Sequence, residues 1–156
     1  MAYSISSPLT GMTQTGLTNP TYTLALDRAP DANTGVQYAV TALGGTQTGV
    51  TIHSVSSPFT LTLVRPKAFK TLGHVNPITG ALPNVPKNQW VFIVRKGVVP
   101  LAGQSPSVLI ARLTIDVPAG SDVADPLSIR AALSALTGAL ANTSNLLGDS
   151  LTTGLI

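Results

Sequence analysis

Apolar and polar residues trade places at every second position through most of this chain, and only near its end does the spacing lengthen to three and four. The clearest two-residue period is FTLTLVRP, in which Phe59, Leu61 and Leu63 fall on one side and Thr60, Thr62 and Val64 on the other. Pro66 ends it, because proline has no amide to give to a ladder. SVLIARLTIDV repeats the pattern over residues 107 to 117, with Leu109, Ala111, Leu113 and Ile115 opposite Val108, Ile110, Arg112 and Thr114. QWVFIVRKG is apolar on both sides at its start, as a strand in the middle of a sheet would be. VQYAVTA, which runs into the glycine pair of LGGTQTG, and VTIHSV predict two further strands. YSISSPLT and TYTLAL carry a weaker alternation on either side of TGMTQTGLTNP and read as a hairpin or arm at the N-terminus. Residues 67 to 88 hold three prolines and two glycines and form the longest irregular piece, with room for a short extra hairpin. The connections are too short and too poor in helix formers for parallel crossovers, so the sheet is predicted to be antiparallel.

After Asp122 the period changes. Asp125 can cap a first helical turn, Pro126 suits the first helical position, and Ile129, Leu133, Leu136 and Leu140 then follow at steps of four, three and four. Ser144 can cap a second short helix with Leu146, Leu147 and Leu151 on its apolar side, and Gly154 stops it. Helices this short need a sheet to hold them. The predicted class is therefore α+β: one domain over residues 1–156, an antiparallel sheet and two C-terminal helices. The apolar stripe would cover either its own sheet or that of a second copy.

Composition favours the second copy. Only 10% of the residues are charged while 44% are hydrophobic, so a free monomer would be poorly protected against association. Charge is also unevenly placed. Arg65, Lys67, Lys70, Lys87, Arg95, Lys96 and Arg112 occupy residues 32 to 115 without a single acid, whereas four of the six aspartates lie beyond them with Arg130 alone. A basic centre carried on strands suits a polyanion held through its phosphates.

Candidate chemistry is sparse. Two histidines, no cysteine and no glutamate leave no common metal set, no disulfide and no thiolate nucleophile. There is no phosphate loop, no dinucleotide fingerprint and no Gly-x-Ser-x-Gly. The expectation is a protein that is not an enzyme and takes no cofactor, no metal and no small-molecule substrate. No run approaches the length of a membrane span, and MAYSISSPLTG does not read as a signal peptide, so no membrane partner and a cytoplasmic site of synthesis are expected. Asn142-Thr143-Ser144 fits a glycosylation pattern, for which chance is the better account without a secretion signal. Trp90, Phe59 and Phe92 read as core or interface residues, since no aromatic pair has the short spacing of a base-stacking platform.

Three stretches together resemble the coat (capsid) proteins of the small, levivirus-like single-stranded RNA bacteriophages. They are FTLTLVRPKAF, SVLIARLTIDVPAGSDVADPLSIRAALSALTGAL and NLLGDSLTTGLI, about half of the chain. The resemblance implies an N-terminal hairpin, a five-stranded sheet, and helices that pack over the partner subunit's sheet in an intertwined homodimer. It also implies an icosahedral capsid, assembled in the bacterial host cytoplasm into a virion that packages single-stranded RNA on its inner sheet face. On this basis the RNA-binding candidates are Thr51, His53, Thr60, Thr62 and Arg112, on a face shared with Val64, Val108 and Ile110. The dimer-interface candidates are Ile129, Leu133, Leu136 and Leu140, and the loop 98–106 would meet the symmetry axes. Val108 and Ile110 stand where well-known relatives place a tyrosine and an asparagine, and Arg112 stands at an acidic family position. Those departures remove the familiar hairpin contact but leave phosphate binding intact. The rival readings are a free dimeric RNA-binding translational regulator that never closes a shell, and a purely structural subunit of another assembly without an RNA role.

Overall fold

The computed structural model describes residues 4–29, 31, 34–141 and 147–155. Its centre is one six-stranded antiparallel sheet in sequence order: β1 (Leu9–Thr10), β2 (Thr18–Asp27), β3 (Gly35–Thr46), β4 (Phe59–Val64), β5 (Lys87–Val98) and β6 (Ser107–Pro118). The two stretches with the clearest alternation are β4 and β6, and the run that is apolar on both sides is β5 between them. β1 and β2 form the N-terminal hairpin, with Leu9 opposite Tyr22. The remaining four strands continue the same sheet, so the hairpin is part of one six-stranded sheet and does not stand beside a separate five-stranded one. Each strand pairs with the next, so no crossover is needed, and β6 is left as an edge twelve residues long.

Register sorts the side chains into two faces, because directly opposed residues point the same way. Leu61 lies between Tyr38 and Val94, and Leu63 between Val36 and Phe92; Leu113 continues the second row. On the opposite face Thr60 lies between Ala39 and Arg95, and Thr62 between Gln37 and Ile93. The core is small: among the described residues Val40 is fully buried and Leu61 8% exposed, and the other buried apolar side chains are Ala29, Ala39 and Ala119.

Two sequence expectations are corrected here. VTIHSV is not a strand, because β3 does not stop at its glycine pair. Gly44 and Gly45 let β3 lie so close to β2 that a Cβ would strike the Thr21 hydroxyl at the first and the Asn19 carbonyl at the second, where φ is +72°. β3 therefore runs on to Thr46 and overhangs the six-residue β4. Its free side is met by the loop that follows, through a single backbone bond from the His53 amide to the Val40 carbonyl, 2.8 Å. Thr51 and His53 thus sit in a loop. Second, residues 67–86 contain no strand, so the extra hairpin is absent; their one tight feature is a turn in which the Asn76 side chain accepts from the amides of Ile78 and Thr79.

A four-residue helix not foreseen from sequence, α1 (Ser121–Ala124), follows β6 after Gly120, whose φ is +82°. α2 (Pro126–Leu140) starts as expected. The Asp125 carboxylate accepts from the Ser128 amide at 3.2 Å and Pro126 opens the first turn. α3 (Leu147–Thr153) ends at Gly154 with φ +74°. The capping role of Ser144, the apolar role of Leu146 and the Asn142-Thr143-Ser144 pattern lie outside the described residues. α3 reaches the β1–β2 loop, where the Thr15 hydroxyl donates to the Asp149 carboxylate at 2.8 Å.

Candidate nucleic-acid interface

The face of the sheet that carries Thr60 and Thr62 is built from cross-strand rows. One row runs Asp27, Gln37, Thr62, Ile93 and Arg112 across β2 to β6. Within it the Thr62 hydroxyl donates to the Gln37 carbonyl oxygen at 2.8 Å, and the Gln37 amide donates to Asp27 at 2.7 Å. That bond, with a second from the Arg28 amide at 2.7 Å, holds the Asp27 carboxyl below its ordinary value. The neighbouring row runs Ala25, Ala39, Thr60, Arg95 and Ile110. Arg95 and Arg112 are therefore diagonal neighbours, two cations on adjacent strands. The acids of this face stand at its margins, each engaged by a glutamine: Asp27 by Gln37, and Asp116 by Gln89 at 3.1 Å.

The sequence candidates divide into three groups. Arg112 is exposed on β6, beside the half-exposed apolar side chains of Val108 and Ile110. Thr60 and Thr62 are in the same face but recessed, 4% and 1% exposed in the lone chain, and Thr62 has committed its proton to Gln37. Thr51 and His53 are not brought together with them. The Lys96 ammonium donates to the Thr51 hydroxyl at 2.7 Å and to its carbonyl at 3.0 Å, and the Phe59 amide donates to His53 Nδ1 at 3.0 Å. Lys96 pairs with Phe59 and lies 5.0 Å from that ring's centre, so it belongs to the apolar face; burial lowers its pKa. Tyr22 packs edge-on to the same Phe59 ring, and Trp90 packs against Phe69. Arg95 shares this face although it is not among the site residues singled out from sequence. The alternation of QWVFIVRKG marks its side of β5, but only the register to β4 shows which face that is.

The apolar face looks towards the helices. A groove of about 330 Å³ separates the end of β6 from α2, lined by Ile115 and Val117 on the strand and by Ile129, Ala132 and Leu133 on the helix. Ile129, Leu133 and Leu136 are half-buried, Leu140 is exposed, and no described residue of α2 or α3 is buried. Ile129 and Leu133 of the stripe face the end of β6 across this groove, and the stripe does not close upon the sheet. Among the described residues no cluster of three or more His, Cys, Asp or Glu side chains could hold a metal ion, and no helix is long and apolar enough to cross a membrane.

The sequence matches no family model and no curated protein. Among solved structures the chain is similar to one described as "Virus-like particle of bacteriophage ESE020". The two are 54% identical with a TM-score of 0.94, over 99% of this chain and 100% of that one.

Proposed function

The chain belongs to the capsid proteins of bacteriophages, and from that premise we propose that it is the coat protein of a single-stranded RNA phage. In this reading two copies intertwine, dimers close into an icosahedral shell, and the face bearing Thr60, Thr62, Arg95 and Arg112 turns inward and holds the genome. Thr51 and His53, held in the adjoining loop by Lys96 and by the Phe59 amide, stand outside that face.

One observation carries the reading. A compact monomer of 16.0 kDa exposes about 7,400 Å². This chain exposes 10867 Å². The excess, roughly 3,500 Å², is of the order that obligate assemblies bury. It includes two places where a second copy would fit, the unclosed groove under α2 and the β6 edge with half-exposed Val108, Leu109 and Ile110, besides the exposed apolar residues of the irregular segment such as Phe69, Val75 and Ile78. Ile129, Leu133, Leu136 and Leu140 then close over the partner's sheet. The inward face offers guanidinium groups and apolar strips without an aromatic, which suits contact with phosphates more than reading of bases. Weak binding per subunit suffices, because many copies hold one polymer.

The test is to express the protein alone and inspect it by electron microscopy, then digest with nuclease and extract what is protected. Closed particles containing protected RNA are expected. A small dimer at all salt concentrations would favour the free regulator, and RNA-free particles would favour a purely structural subunit.

A further inference from the structure

The basic centre of the chain has a second concentration of charge away from Arg95 and Arg112. Where β4 ends and β5 begins there is a cavity of about 270 Å³ whose lining includes Arg65, Lys70 and Lys87 and no acid. Its floor continues the inward face, since Val64, Val91 and Gln89 line it and Val64 pairs with Val91 two positions beyond the Thr62–Ile93 pair. Lys70 reaches the cavity from a segment tied to β5 on the opposite, apolar side, where Phe69 packs on Trp90 and Asn88 points with it. The Asn88 side chain accepts from the Lys70 amide at 2.8 Å and donates to the Lys70 carbonyl at 3.0 Å, which pins the irregular segment to the start of β5. Both lysines remain exposed.

We propose that this cavity is a phosphate-binding subsite for single-stranded RNA, a second anchor for the strand held at Arg95 and Arg112. The proposal rests on the RNA-binding reading above and extends it to residues outside the site described there. At about 270 Å³ the space is below the roughly 300–1,000 Å³ of pockets that enclose drug-sized ligands, and suits a backbone group entering from the open side. Lys87 and Arg95 point to one face of β5 eight residues apart, about 26 Å at 3.3 Å per residue. Between them lie Val91 and Ile93, so the strand is gripped by its phosphates at two poles and passes over an apolar floor.

The experiment measures binding of the full-length protein, dissociated from particles, to a fluorescein-labelled oligouridylate by anisotropy across a salt series. Each lost phosphate contact on a single strand lowers the log–log salt slope by about 0.7. K70A/K87A is expected to reduce it by about 1.4, and R95A/R112A by a similar amount. An unchanged slope in K70A/K87A alongside a reduced one in R95A/R112A overturns the subsite and leaves the RNA reading standing. Unchanged slopes in both overturn the RNA reading itself. A K70A/K87A protein that loses particle assembly with its salt slope intact shows that the cavity serves a protein contact, which also overturns the proposal. The single variants K70A and K87A, each expected to lower the slope by about 0.7, decide the matter if circular dichroism shows the double variant unfolded.

Discussion

Replacing Leu133 with aspartate tests whether the α2 stripe belongs to a second subunit. Fully burying a leucine side chain contributes about 1.5–3 kcal/mol. Leu133 is half-buried in the lone chain, so roughly 1 kcal/mol per copy remains to be gained on association. An aspartate left without a partner adds about 1–3 kcal/mol. In a two-fold dimer each loss counts twice. The sum is about 4–8 kcal/mol, a thousandfold to millionfold rise in the dimer dissociation constant. Sedimentation of protein released from particles reads this directly, with Ala131→Asp, on the far side of α2, as the control. L133D should sediment as a monomer at concentrations where A131D remains a dimer. A protein that kept its dimer mass but melted earlier would refute the reasoning, because the stripe would then serve only its own subunit.

Three further outcomes are expected. Arg112→Ala should spare the fold, lower the RNA recovered from particles and reduce the salt slope by about 0.7; retention equal to the parent would remove Arg112 from the interface. Leu61→Ala, in the small core, should cost about 2–5 kcal/mol in denaturant unfolding, and a loss below about 1 kcal/mol would show that the sheet closes around the void. Asp27 is held below its ordinary value of 3.8 by its bonds from Gln37 and the Arg28 amide, so its contribution is complete above that pH and is lost as pH falls through the lower folded value. D27N should therefore flatten part of the acid limb of a stability–pH curve while leaving neutral-pH behaviour nearly parallel to the parent; an unaltered limb would contradict the assignment.

Strands β4 and β6 and helix α2 were legible because their residues obey one period and carry their own stop signals, Pro66 and Asp125-Pro126 among them, and β5 because its short run is apolar on both faces. The segment around Thr51 and His53 misled for a physical reason. Its β-branched residues favour a strand, yet a strand also needs a partner, and the length of β3 beyond β4 offers it only the Val40 carbonyl; Ile52 and Val55 are left facing outward. The glycine pair reads locally as a break, and its use for close approach depends on the Thr21 and Asn19 atoms across from it. On the sheet face opposite the helices, parity placed Thr60, Thr62 and Arg112 together, but the recession of both threonines follows from neighbours on three strands. Arg65 and Lys87 meet because β4 pairs with β5, whereas the place of Lys70 beside them follows from the Asn88 bonds and the Phe69–Trp90 contact, which no local pattern announces.

The twelve-residue margin of β6 has a consequence for how such a chain is made. One side of that strand has no strand paired to it within the chain; if, as proposed, a second copy covers it, protection of each newly made molecule is a second-order event. The earliest molecules in a host are then the most vulnerable to wrong pairing, and accumulation should show a threshold, with soluble yield rising faster than synthesis once neighbours are plentiful.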